Sequence, residues 1–199
     1  MPQILALKKG RVHEVSGPGA VGFAAWQLAA RDRPAIWLHL SWEDRSLCPP
    51  AIGGRNAARL VMVRVDSEAD LLWATEEALR SGAAPLVIAQ PASPLSLTAG
   101  RRLQLAAEAG RAVGLLTVRE GHGSPAAETR WHCRPVWHPQ DSTCAEWVLN
   151  KNKSGTLDRW TVTFDAAQGT LRVVSTTGER SGAAPQALPR SVRPGSEHR

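Results

Sequence analysis

Two glycines five positions apart, Gly17 and Gly22, separate a short alternating run, RVHEVS over 11–16, from an alanine-rich run, AVGFAAWQLAAR over 20–31. The first run predicts a strand and the second a helix. A glycine-rich turn between a strand and a helix is where a phosphate-binding loop sits. Such a loop needs glycine, four residues, glycine, lysine, then serine or threonine. The lysine neutralises phosphate charge and the hydroxyl holds magnesium. Here the glycine spacing is kept, but Phe23 stands at the lysine position and Ala24 at the hydroxyl position. A phenyl ring cannot screen phosphates, and a methyl group cannot ligate a cation. The same glycines, with Pro18 and Gly19, would also serve as an ordinary tight turn.

The other parts of a phosphate site are changed as well. In a working ATPase of this type the fourth strand ends in an aspartate that orients the metal's water. Here PLVIA over 85–89 runs into Gln90 and Pro91. The second strand, AIWLHL over 35–40, is followed by Ser41 and Trp42, so a displaced carboxylate would have to be Glu43 or Asp44. His13, Glu14 and Ser16 stand close in sequence, but strand alternation separates their faces, and no nucleophile motif surrounds the serine. His132, Cys133, His138 and Cys144 fit no common zinc spacing. No catalytic residue, cofactor or metal is expected.

Binding is the remaining chemistry. Net charge is +6 in 199 residues, which admits nucleic acid or an acidic protein surface as partner. Two sets of arginines are candidate contacts. Arg101 and Arg102 are adjacent on a predicted helix, where a solvated face is the simpler reading. Arg130 and Arg134 alternate with Trp131 and Trp137, a mixture that suits single-stranded nucleic acid by phosphate neutralisation and base stacking. Alternation puts Arg130 and Trp131 on opposite faces, which favours Trp131 in the core and the arginines on a wet face.

The elements that must position these residues alternate. Strands are predicted over 11–16, 35–40, 60–65, 85–89 and 112–118, and helices over 20–31, from Asp66 or Ser67 to about Arg80, and over 98–109. Gly82 stands where a helix-ending glycine belongs. Such alternation predicts a parallel sheet with helices on both faces. After Arg119 the runs ETRWHCRPVW, AEWVLNK, RWTVTFD and TLRVVST alternate at period two, which predicts antiparallel strands extending one side of the sheet. The expected organisation is a short segment over 1–10, one domain over 11–174, and a Pro-, Gly- and Arg-rich tail over 175–199 expected to be disordered. Three cysteines, Cys48, Cys133 and Cys144, match no disulfide framework. No apolar run reaches about 18 residues, and the start of the chain is too soon charged for a signal peptide. A reducing, cytoplasmic setting without a membrane is expected.

Taken together, GRVHEVSGPGAVGFAAWQLAA, AIWLHL, LLWATEEALRSGAAPLVIAQ, LTAGRRLQLAAEAGRAVGLL and AAETRWHCRP resemble the ImuA family. These are bacterial RecA-like accessory proteins of the mutasome, more distantly related to the SulA cell-division inhibitors. The resemblance covers roughly residues 10 to 165. It implies an α/β fold with a RecA-like P-loop core of three layers. It also implies a role in the SOS response to DNA damage. Family members act in translesion synthesis with a Y-family polymerase homologue (ImuB), an error-prone replicative-type polymerase subunit, and RecA. The segment before the first strand is short beside many relatives, which argues against filament-like self-assembly. Two readings from other classes stand beside the accessory role: a SulA-like inhibitor of cell division, and a single-stranded DNA-binding module. A nucleotide-binding enzyme with a non-standard site is opposed by Phe23 and Ala24.

Overall fold

The computed structural model describes residues 5–43, 52–139, 141–165 and 170–176. In chain order the elements are β1 (Val12–Ser16), α1 (Ala20–Ala29), β2 (Ala35–Leu40), α2 (Gly54–Ala57), β3 (Leu60–Val65), α3 (Glu68–Ser81), β4 (Leu86–Ala89), α4 (Leu97–Gly110), β5 (Val113–Thr117), β6 (Thr129–Pro135), β7 (Cys144–Asn152), β8 (Asp158–Asp165) and β9 (Thr170–Thr176). The strands form one sheet in the order β3-β2-β4-β5-β1-β6-β7-β8-β9. The first five pair in parallel, as strand–helix alternation predicts. Ser67 caps α3 by accepting the Asp70 amide at 3.1 Å, and Gly82 ends it in the left-handed conformation, φ 63°.

The extension differs from expectation in one strand. β6 lies parallel to β1, with Glu14 opposite Arg130 and Ser16 opposite His132; only β7, β8 and β9 are antiparallel. The cause is the connection over 118–128, which crosses β1 before β6 begins. A hairpin cannot join parallel neighbours, whereas a crossing segment can. α4 approaches this crossing closely, since a side chain at Gly100 would collide with the Ser124 hydroxyl.

Helices cover both faces of the parallel part. On one side α1 packs Phe23, Trp26 and Leu28 among Val15, Trp37, Ile88 and Leu115. On the other, α3 and α4 pack Leu71, Leu79 and Leu103 among Leu38, Val87 and Leu116. The antiparallel strands reach the α1 side through a cluster of rings. Phe23 lies 5.2 Å from Trp131 and 4.8 Å from Trp147, and Trp131 lies 5.4 Å from Trp160. Leu5 and Leu7 are buried in the same core, and Gln27 donates to the Leu5 carbonyl at 3.2 Å. The residues described ahead of β1 therefore belong to the domain's packing. Of the tail expected from residue 175, Ser175 and Thr176 belong to β9, and residues 177–199 lie outside the described residues.

β1 is the element whose pattern misleads most. Its sequence alternates apolar and polar, yet all five of its residues, the polar His13, Glu14 and Ser16 included, are buried, because strands flank it and helices cover both faces. Glu14, fully buried, accepts from Arg130 Nε at 2.9 Å and from the Ser124 amide at 2.6 Å. His13, also fully buried, lies in a relay. The Trp131 indole donates to the Thr129 hydroxyl at 3.0 Å, and that hydroxyl donates to His13 Nδ1 at 2.7 Å. His13 Nε2 in turn donates to the Lys8 carbonyl at 3.0 Å. This order of donors fixes the neutral tautomer with its proton on Nε2. Ser16 donates to the Trp131 carbonyl at 3.2 Å, apart from both.

Arg130→Met is expected to lower stability by about 2–3 kcal/mol by leaving a buried carboxylate unpaired, less than for a wholly buried pair because the arginine is partly exposed. The double variant Glu14→Gln, Arg130→Met should be more stable than Arg130→Met alone. Urea denaturation of the three proteins reads both; equal stabilities of single and double would contradict the pairing.

Candidate functional site

β1 stands where the sheet order reverses. The chain leaves it for β2 on one side and returns to β6 on the other. Open α/β sheets bind ligands in the crevice outside the carboxyl ends of the strands at such a point. A cleft of about 710 Å³ lies there, lined by the turn after β1 (Gly17, Pro18), the start of α1 (Ala20, Val21), Glu43, Gln90, Pro91, the last residue of β5 (Thr117) and Val118, Arg119 and Glu120 after it.

The turn is built against β6. Gly17 has φ 88°, and a Cβ there would come within 2.5 Å of the Cys133 carbonyl oxygen. The Gly19 amide donates to that same carbonyl at 2.8 Å. Parallel pairing of β1 with β6 thus demands glycine at 17 whether or not an anion binds. Gly22 differs: it is exposed, already inside α1, and open space surrounds its Cα. Gly17→Ala is expected to lose about 2–4 kcal/mol through strain and collision. Gly22→Ala should gain about 0.4–1 kcal/mol by stiffening the unfolded chain. Thermal melts of the two variants moving in the same direction would refute this division of labour.

Phe23 and Ala24, the lysine and hydroxyl positions of the spacing, both point into the core and are fully buried. Gln90, at the acid position, accepts the Trp37 indole proton at 3.0 Å. Glu43 and Arg119 pair across the cleft at 3.5 Å, and Glu120 lies 3.5 Å from His132 Nδ1. Asp44 lies outside the described residues. Among the described residues the lining carries two carboxylates, Glu43 and Glu120, and one arginine, Arg119. Among these the one cation already faces a carboxylate, which leaves little positive charge there for a polyphosphate.

The structure brings Gly17, Phe23, Ala24 and Gln90 to one edge, but not the four candidate arginines to one surface. Arg102 pairs with Glu76 of α3 at 2.7 Å. Arg130, expected on a wet face, is committed to Glu14. Arg134 makes a two-pronged contact with Glu146 at 3.1 and 3.0 Å, and Arg159 approaches the same carboxylate at 3.7 Å. Arg101 makes no ion pair among the described residues and lines a groove beside α4. Cys133 and Cys144 are buried and unpaired, and burial pushes the Cys133 thiol well above its usual range. Among the described residues no three His, Cys, Asp or Glu side chains gather as a metal site, and no helix is long and apolar enough to cross a membrane. Cys48 lies outside them.

Sequence reasoning missed the cleft residues Arg119 and Glu120 and the bridging Gln104. Gln104 accepts the Val12 amide at 3.1 Å and donates to the Val12 and Ala126 carbonyls at 3.0 and 3.1 Å. A polar residue between leucines on a helix was the only signal for it.

No family model matches the chain. Protein ImuA from two strains of Caulobacter vibrioides is 41% identical over 73 residues, which is 37% of this chain and 30% of theirs. The aligned stretch spans less than a third of the length of these curated relatives. Over that stretch the chain is similar to Protein ImuA, in keeping with the family resemblance carried by its motifs.

Proposed function

We propose that this chain is a RecA-like accessory protein of damage-induced mutagenesis that works by protein contact and without ATP chemistry. The similarity to Protein ImuA over part of the chain supports the pathway in this reading. The observation that carries the non-catalytic reading is the cleft at the carboxyl edge. The two positions that would serve phosphate and magnesium are occupied by core side chains there, and Arg119, the lining arginine among the described residues, faces Glu43. A fold can keep its surface while losing its chemistry. The partners in this reading are an ImuB-like Y-family polymerase homologue, RecA, and an error-prone replicative-type polymerase subunit.

Two of the four arginines considered for DNA are tied to carboxylates on neighbouring strands, which favours protein contact over a nucleic-acid surface. The test is a pull-down with tagged full-length protein from cells treated with a DNA-damaging agent, read by mass spectrometry. Recovery of the polymerase homologue, the polymerase subunit or RecA is expected. Recovery of the tubulin-like division protein with none of those three would overturn the proposal in favour of a division inhibitor. Measured ATP turnover by the purified chain would overturn its non-catalytic part.

A further inference from the structure

A second hollow, of about 620 Å³, runs along the outer face of α4, away from the carboxyl-edge cleft. One wall is α4 from Leu97 to Glu108, about 16 Å of helix. The other is the crossing segment at Pro125 and Ala126 with Lys153 behind it. Gln104 closes the floor, its amide fully engaged with Val12 and Ala126, so the two walls are fixed relative to each other.

Three features define what fits. The first is unneutralised positive charge. Lys151 and Lys153 donate to the Pro125 and Ala126 carbonyls, each at 2.7 Å, rather than to carboxylates, and Arg101 on the facing wall makes no ion pair among the described residues. Burial pushes the Lys151 ammonium below its usual range, with the neighbouring Lys153 and Arg130 cations adding to the shift and Glu14 and Glu128 opposing it. The second feature is apolar. Leu97 and Leu105 are 44% and 67% exposed and stand eight residues apart on one face, with Arg101 midway. The third concerns sign and shape. Glu108 and Glu128 hold one end, paired with Arg11 at 3.1 and 4.0 Å, and no aromatic ring lines the groove. Carboxylates at one end and exposed leucines suit neither a phosphate backbone nor stacked bases.

We propose that this groove docks an acidic segment of a protein partner, with a carboxylate on Arg101 and apolar side chains on Leu97 and Leu105. This deepens the accessory function and rests on that reading for the partner being a protein. The chain's own residues 177–199 are excluded by charge, with four arginines against two glutamates. A second copy would set like charges face to face.

Full-length protein is titrated with a fluorescein-labelled peptide of alternating aspartate and leucine, the same peptide with lysine for aspartate, and oligothymidylate. Saturable binding of the acidic peptide alone is expected, weakening as salt rises. Arg101→Glu and Leu105→Ser should each weaken it by roughly tenfold. Arg33→Glu, the same charge change at an exposed position after α1, should change it less than about twofold. Failure of the acidic peptide to bind, or an equal loss in Arg33→Glu, overturns the proposal. Oligothymidylate binding that disappears in Arg101→Glu overturns it in favour of nucleic acid. A damage-treated pull-down in which Arg101→Glu recovers the mutasome partners as well as the parent protein overturns the groove and leaves the accessory reading standing. Acidic-peptide binding at the groove without any such partner recovered does the reverse.

Discussion

Phe23→Ala is expected to lower the unfolding free energy by about 3–5 kcal/mol, the usual loss for a fully buried phenylalanine. The ring is fully buried, 6.1 Å from Trp26 and closer still to Trp131 and Trp147, so truncation opens a cavity that three rigid indoles cannot collapse to fill. Phe23→Lys with Ala24→Thr, which rebuilds the residue types of a phosphate loop, should cost more still. It asks an ammonium to sit in a ring-lined core, where desolvation outweighs the modest attraction of a cation for an aromatic face. Ala24 is fully buried too, and added side-chain atoms there overpack the α1 contact. Urea denaturation followed by tryptophan fluorescence, with ATP binding measured alongside, decides the matter. A rebuilt protein as stable as the parent that also binds ATP would mean that Phe23 is a recent loss from a working site rather than a part of the core.

The same cluster accounts for the residue choice at position 23. Trp131 and Trp147 belong to β6 and β7, which follow the α/β portion in the chain. Once those strands extend the sheet beneath α1, the helix face over them must be apolar, and a lysine at its first turn would face rings instead of solvent. Glycine at 17 has a parallel origin in the Cys133 carbonyl of β6. The apolar residues at the lysine and hydroxyl positions of the spacing and the presence of the extension are thus two sides of one packing arrangement.

Element type was legible because local chemistry and global fold agree there. Ser67 and Gly82 bracket α3 by capping and left-handed termination, and the apolar runs at 35–40 and 86–89 are buried on both faces as parallel strands require. The site was less legible because its determinants are distant in sequence. Nothing near Glu14 announces Arg130, 116 residues away, or the Ser124 amide. Alternating types in β1 do not reveal its full burial, because a buried polar residue and an exposed one look alike until their partners are known. β6 likewise reads as one more period-two strand, and its parallel pairing follows from the path of the 118–128 crossing, which has no periodic signal. Arg101 and Arg102 read as one pair, yet successive helix positions diverge by about 100°. One meets Glu76 and the other lines the groove beside Leu105.

Acidification from pH 7 to pH 4 is expected to remove about 3 kcal/mol of stability through His13 alone. Burial lowers its pKa from 6.5 to about 4, against the smaller opposing influence of the Lys8 carbonyl and Glu128; Arg31 and Lys8 also disfavour the cation. The folded pKa lies below the unfolded one, so between pH 6.5 and about 4 the unfolded chain binds more protons. The contribution is therefore complete above pH 6.5 and drains away as pH falls toward 4. Glu128 acts in a lower window. Its carboxyl is held below its usual range by Lys8 and Ser154 despite burial, so its contribution persists above 4.5 and is lost only beneath it. His13→Gln removes the titration while keeping polar atoms near Thr129 and Lys8. Its stability should be lower than the parent's at pH 7 but flatter between pH 6.5 and 4.5. Urea midpoints at half-unit steps would show the slopes, and parallel lines for the two proteins would place the acid sensitivity elsewhere than in the Trp131–Thr129–His13 relay.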